Sequence, residues 1–163
     1  LAVALAEEAK GVREKPVNSN DGPEVRAYLA SVGLGPGFAW CCAFTYWCFE
    51  QAARQQVPPR ANPMVRTGGC LKHWNDAPGK GARRITKAEA VNDPGLVQPG
   101  MLFFMDFGAG AGHTGFVVRV DGGLLHTVEG NTDASKTREG GGVYRLTRKL
   151  GDISKGFIDY GGL

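Results

Sequence analysis

Two periods of hydrophobicity divide the chain, and the change falls near Pro99. Before it, apolar residues recur at helical spacing in short blocks; after it they gather in strand-sized runs separated by glycine turns. "LAVALAEEAKG" predicts a short helix ending at Gly11, where glycine can take the left-handed stop conformation. "VNSNDG" reads as a turn, and Pro23 opens a second helix, "PEVRAYLASVG", stopped by Gly33. After "GLGPGF" a helix is predicted from about Cys41 to Arg54, broken by "PPRANP", and "VRTGGCLKHW" predicts one more short helical piece before a loop rich in Gly, Lys and Asn. "GMLFFMDF", "TGFVVRV", "LLHTVEGN", "GVYRLTR" and "GFIDY" are strand-sized, and "VDGGLL" signals a hairpin between two of them.

Helices followed by strands indicate an α+β fold, with N-terminal helices packed on a curled antiparallel sheet of about five strands. Glycine usage agrees: ten of the 25 precede Gly100 and fifteen lie from Gly100 onward. With 163 residues, 42% of them apolar, residues 1–163 are expected to form one domain around one core. No apolar run is long enough to span a bilayer, and the start lacks the features of a secretory signal. Because the chain begins with Leu1, it is read as an excised or processed piece that relies on a parent protein, a phage or a secretion system for delivery.

The net charge of +3 is unevenly spread. Arg54, Arg60, Arg66, Lys72, Lys80, Arg83, Arg84 and Lys87 face only one acid, Asp76, across that segment. This is either a solvated face or a surface for a polyanion such as a cell-wall polymer. Nucleic acid is not expected, since no aromatic residues are interleaved with the basic ones. Cys41, Cys42, Cys48 and Cys70 contain no C-x-x-C pair, so neither zinc nor any other metal or cofactor is expected. A Cys48–Cys70 bridge remains open, although buried free thiols fit better.

Helical periodicity alone leaves Cys41 and Cys42 equal. Cys41, Phe44, Cys48 and Ala52 share one stripe, and Cys42, Thr45, Tyr46 and Phe49 the neighbouring one. A thiolate gains from a helix start and needs a base, usually histidine. His113, in "GAGAGHTGFVV", lies at a strand start among small residues; His126 is mid-strand and His73 lies in the basic region. If the "DGG" hairpin pairs the flanking strands, Glu129 or Asn131 can accept a hydrogen bond from His113, and His126 faces away. "GAGAG" leads into a strand rather than a helix, which argues against a phosphate loop, and "NSNDG" lacks the remainder of a calcium loop.

Taken in order, "NSNDGPEVRAYL", "WCCAFTYWC", "VQPGMLFFM", "GHTGFVV", "VEGNT", "REGGGVYRLTR" and "GFIDY" resemble the CHAP family of cysteine, histidine-dependent amidohydrolases and peptidases, of the papain-like group. The resemblance covers nearly the whole chain. It implies a papain-like fold, with Cys41, directly after Trp40, as nucleophile, His113 as base, and Glu129 and Asn131 as orienting residues. Met101 stands where the family usually has aspartate, which bears on local turn geometry. The implied activity is peptidoglycan hydrolysis through a thioester, by a monomer acting in the periplasm or at the extracellular wall, with an immunity protein as partner if the protein is a toxin. The alternatives are an amidase of a small-molecule amide and a wall-binding module without turnover.

Overall fold

Helix starts and stops follow the local chemistry of the chain. In the computed structural model, which describes residues 1–137 and 140–162, α1 (Ala2–Ala9) and α2 (Pro23–Ser31) give way to Gly11 and Gly33 at φ +69° and +83°. Asp21 shapes the turn before the second helix: its carboxylate accepts from the Gly22 N–H and holds Arg26, which explains "NSNDG" as a turn. The third helix, α3 (Cys41–Arg54), has the expected span and is the most enclosed, with every side chain from Cys41 to Tyr46 buried. The fourth, α4 (Cys70–Asp76), begins later than "VRTGGCLKHW" suggested, since Gly68 and Gly69 disfavour helix. No helix among the described residues is long and apolar enough to cross a membrane.

Six strands rather than five make the sheet. They are β1 (Arg83–Thr86), β2 (Leu102–Gly108), β3 (Ala111–Asp121), β4 (Leu124–Thr132), β5 (Gly142–Lys149) and β6 (Gly156–Asp159), in the antiparallel order β1-β6-β2-β3-β4-β5. The unexpected strand, β1, has one buried side chain, Ile85, too little pattern to register as a strand. The segment after it, expected as loop, is the helix α5 (Lys87–Asn92), opened by a reciprocal capping box between Thr86 and Glu89. The "DGG" hairpin joins β3 to β4, pairing Asp121 with Leu124. Of the expected "EGGG" turn, residue 139 lies outside the described residues, as does residue 138 of "REGGGVYRLTR".

Both faces of the sheet are covered, so its central strands read as continuous apolar runs rather than alternating ones. Leu102, Phe104, Phe116 and Val128 join Trp40 and Phe44 beneath α3, whereas Phe103, Met105, Val117 and Leu125 pack with Ile85, Ile153 and Phe157 on the other face. The first of these layers brings the start of α3 against β3 and β4, the strands that carry His113 and Glu129.

Candidate active site

Cys41 is the first residue of α3, and the residue before it, Trp40, caps the helix through its backbone only. The Trp40 carbonyl accepts from the Phe44 N–H, while no side chain caps the first turn. Unpaired amides and the positive end of the helix dipole therefore meet the Cys41 sulfur. Trp40 is itself fixed: its Nε1–H donates to the buried Glu14 carboxylate over 2.8 Å, and the other Glu14 oxygen accepts from the Asn20 amide at 3.0 Å. Glu14 thus ties the "NSNDG" turn to the helix start, a role with no sequence signal beyond an acid beside a turn.

His113 is buried and lies on β3, with its Nε2 2.7 Å from Oε2 of the fully buried Glu129. Gly115 makes this contact possible, because a β-carbon there would lie 2.8 Å from the Glu129 Cγ. Gly130, the next residue on β4, allows the strand to approach α3; a β-carbon would lie 2.7 Å from the Trp40 ring. The contact leaves His113 Nδ1 without a hydrogen-bond partner, beside Cys41. Catalytic hydrogen bonds are often long before substrate binds, so the open Nδ1 suits a group that exchanges a proton with Cys41.

Arg148, on β5, grips Glu129 with both arms of its guanidinium, Nε to Oε1 at 2.7 Å and Nη2 to Oε2 at 2.6 Å. Thr127 also donates to Oε1, at 2.5 Å. Burial alone would raise Glu129, but Arg148 and His113 reverse this and hold the carboxyl down to about 2. For His113, burial opposes the charged ring, yet Cys41 and Glu129 together lift it to about 9. The Cys41 thiol is pushed up by the neighbouring Cys70 sulfur and by burial, and pulled down by His113. The arrangement is a thiol, an imidazole and a carboxylate in series, with the carboxylate neutralised from behind by an arginine.

Asn131 does not join this series. It is fully buried in the left-handed region at φ +58°, where the β4–β5 pairing shifts register between Glu129 and Thr132, and neither side-chain polar atom has a partner. Of the two residues expected to hold His113, only Glu129 reaches it; the kink at Asn131 breaks the strict alternation that placed both on one face. His126 faces away as expected, with Arg119 and Thr147 at 3.3 Å. The Cys48–Cys70 pairing left open above is not formed, in line with the expectation of buried free thiols. All four cysteines are free, and the Cys70 sulfur lies 3.5 Å from that of Cys41. Sequence reasoning missed Arg148 and Cys70 as neighbours of the site; the register that aligns β5 on β4 is a long-range fact that no local motif carries.

A second cysteine and histidine lie alongside. Cys42 Sγ is 3.6 Å from Nδ1 of the buried His73 and 3.3 Å from the Thr67 carbonyl, to which it donates; His73 Nε2 is 2.7 Å from the Tyr160 hydroxyl. Burial dominates here, offset only in part by the charge of Asp76, and His73 is pushed down to about 4. Among the described residues no group of three or more His, Cys, Asp or Glu side chains is arranged to hold a metal ion.

An α+β fold whose buried central helix opens on a cysteine, against an antiparallel sheet bearing a histidine, belongs to the papain-like class. Within it, the model of the CHAP domain matches residues 33–131, more than half of the chain, and the protein belongs to that family. No curated protein and no solved structure matches the chain. CHAP domains are generally amide- or peptide-bond hydrolases that act on the cell wall, and the family points to peptidoglycan as substrate.

Proposed function

We propose that the protein is a cysteine-dependent peptidoglycan hydrolase, an endopeptidase or N-acetylmuramoyl-L-alanine amidase, with Cys41 as nucleophile, His113 as general base and acid, and Glu129 as the group that orients His113. The observation that carries this reading is the open Nδ1 of His113, presented toward Cys41 while Nε2 is fixed on a charged carboxylate. With Nε2–H donating to Glu129, Nδ1 takes the Cys41 proton, and the raised imidazole holds it as imidazolium beside the thiolate. The thiolate adds to the amide carbonyl, and amides at the start of α3, that of Cys41 among them, receive the oxyanion. Collapse of the tetrahedral adduct breaks the C–N bond, and His113 gives its proton to the departing amine. Water, deprotonated by His113, then cleaves the thioester and returns the thiol.

All eight basic residues between Arg54 and Lys87 are exposed, which supports attraction to an anionic wall. Digesting purified peptidoglycan and resolving the soluble fragments by mass spectrometry tests the activity. Cut stem peptides indicate an endopeptidase and glycans stripped of peptide an amidase. Intact peptidoglycan after treatment with the reduced protein overturns the proposal.

A further inference from the structure

Cys70 has no part in the hydrolytic sequence, yet its sulfur is buried 3.5 Å from the Cys41 sulfur, in contact distance for two thiols. It is held there from both sides. Cys70 starts α4, directly after Gly68 and Gly69, and its β-carbon packs against Gly112, the residue before His113, where an added β-carbon would be only 2.9 Å away. Cys42 also lies near the Cys70 thiol but is bonded to the Thr67 carbonyl and faces His73, and Cys48 is separately buried further along α3, so Cys41 is the partner whose sulfur stands 3.5 Å from that of Cys70. A disulfide needs the sulfurs about 2.05 Å apart, a closure of roughly 1.5 Å that rotation about the side-chain bonds and a small shift at the two glycines can supply.

We propose that Cys41 and Cys70 form a site of reversible oxidation, at which a small hydroperoxide converts the two thiols to a disulfide and silences the enzyme. This rests on the reading of Cys41 as a thiol activated by His113. The chemistry follows from that activation. The Cys41 thiolate attacks the peroxide, breaking its O–O bond and giving a sulfenic acid with release of hydroxide, which takes up the proton held by His113 to become water. The Cys70 sulfur then attacks the Cys41 sulfur; the S–O bond breaks, the S–S bond forms, and the hydroxyl leaves with the Cys70 proton as a second water. Two electrons pass from the sulfurs to one peroxide. A dithiol reverses the result by exchange. Cys70 thus intercepts the sulfenic acid before a further peroxide can take it to the irreversible sulfinic and sulfonic acids.

The full chain is exposed to limiting hydrogen peroxide; peptidoglycan hydrolysis is measured on one portion directly, and the remaining thiols of a second portion are alkylated for intact mass and peptide map. The expected result is a mass loss of two hydrogen atoms, one cross-link between the peptides bearing Cys41 and Cys70, and a loss of rate in proportion to the bridged fraction that dithiothreitol restores. In Cys70→Ser, and in Cys70→Ala as an independent check, a several-fold excess of peroxide instead adds two or three oxygen atoms to Cys41, and dithiothreitol no longer restores each variant's own untreated rate, whereas the wild type under the same excess is still restored. A bridge from Cys70 to Cys42, or over-oxidised Cys41 in the wild-type chain while Cys70 stays alkylatable, overturns the proposal. A Cys41–Cys70 bridge that leaves hydrolysis untouched keeps the oxidation site and overturns Cys41 as nucleophile.

Discussion

Cys41 lies beside His113 and Cys42 beside His73, two thiol and imidazole pairs on consecutive residues of one helix, both fully enclosed. In the first pair the far ring nitrogen meets a carboxylate that Arg148 keeps ionised, and the ring is lifted to about 9. In the second the far nitrogen meets the Tyr160 hydroxyl, and the ring falls to about 4. The difference lies in the charge behind each histidine: the nucleophile role proposed for Cys41 needs a ring that can hold its proton, and only His113 has a carboxylate behind it to stabilise that charge. A buried imidazole without that charge stays neutral, and its thiol serves as a hydrogen-bond donor to a carbonyl.

Breaking each pair at its sulfur gives the largest contrast. Cys41→Ala is expected to lower peptidoglycan hydrolysis by about 10⁴-fold or more, while Cys42→Ala leaves it largely intact. Initial rates of peptide or glycan release measure both. Full activity in the Cys41 variant would sink the assignment.

The next contrast moves behind the ring. Glu129→Gln keeps the shape of the side chain but removes the charge, and the rate is expected to fall by roughly 10²- to 10⁴-fold. His126→Ala, a residue off the series, is expected to cost much less, and the reverse order would mean that β4 presents its other face. Arg148→Met leaves Glu129 buried and unpaired, so a stability loss of about 3–5 kcal/mol in chemical denaturation is expected.

Much of this contrast was legible in the chain, and the part that was not has a physical cause. The span of α3, the hairpin at Gly122–Gly123 and the strand that carries His113 all follow from short-range pattern. Family resemblance then chose Cys41 over Cys42, which periodicity alone could not. Asn131 was misplaced because alternation assumes a regular strand, and its positive φ breaks that assumption. Arg148 and Cys70 stayed invisible because they reach the site only through pairing of β5 on β4 and packing of α4 against β3, contacts that depend on the finished fold.

The Glu129–His113 pair also leaves a signature in stability against pH. Glu129 is held at about 2 against an ordinary 4.5, so its contribution is present above about 4.5 and is lost as pH falls through about 2. His113 is raised to about 9 from an ordinary 6.5, so its contribution is fully present below about 6.5 and is lost as pH rises through about 9. The pair therefore contributes most between about pH 4.5 and 6.5. Denaturation midpoints across pH are expected to show this plateau in the wild type, and Glu129→Gln is expected to flatten both of its edges. Unchanged edges in that variant would show that other groups set them.

The smallest effect is expected where the second pair is broken. His73 is lowered from 6.5 to about 4, so it is neutral across the working range and too weak a base to hold a proton taken from Cys42 near neutrality. Its contribution is structural: it bonds the Tyr160 hydroxyl and packs its ring at 4.9 Å against Phe104. His73→Leu keeps the apolar packing and removes the polar partner of Tyr160 and Cys42, at a cost of about 1–3 kcal/mol. The rate of wall hydrolysis by the folded variant is expected to be unchanged, as is the shape of its pH–rate profile. A shift of that profile, with stability unaffected, would mean that His73 communicates with Cys41 through the adjoining thiols and that the two pairs act as one.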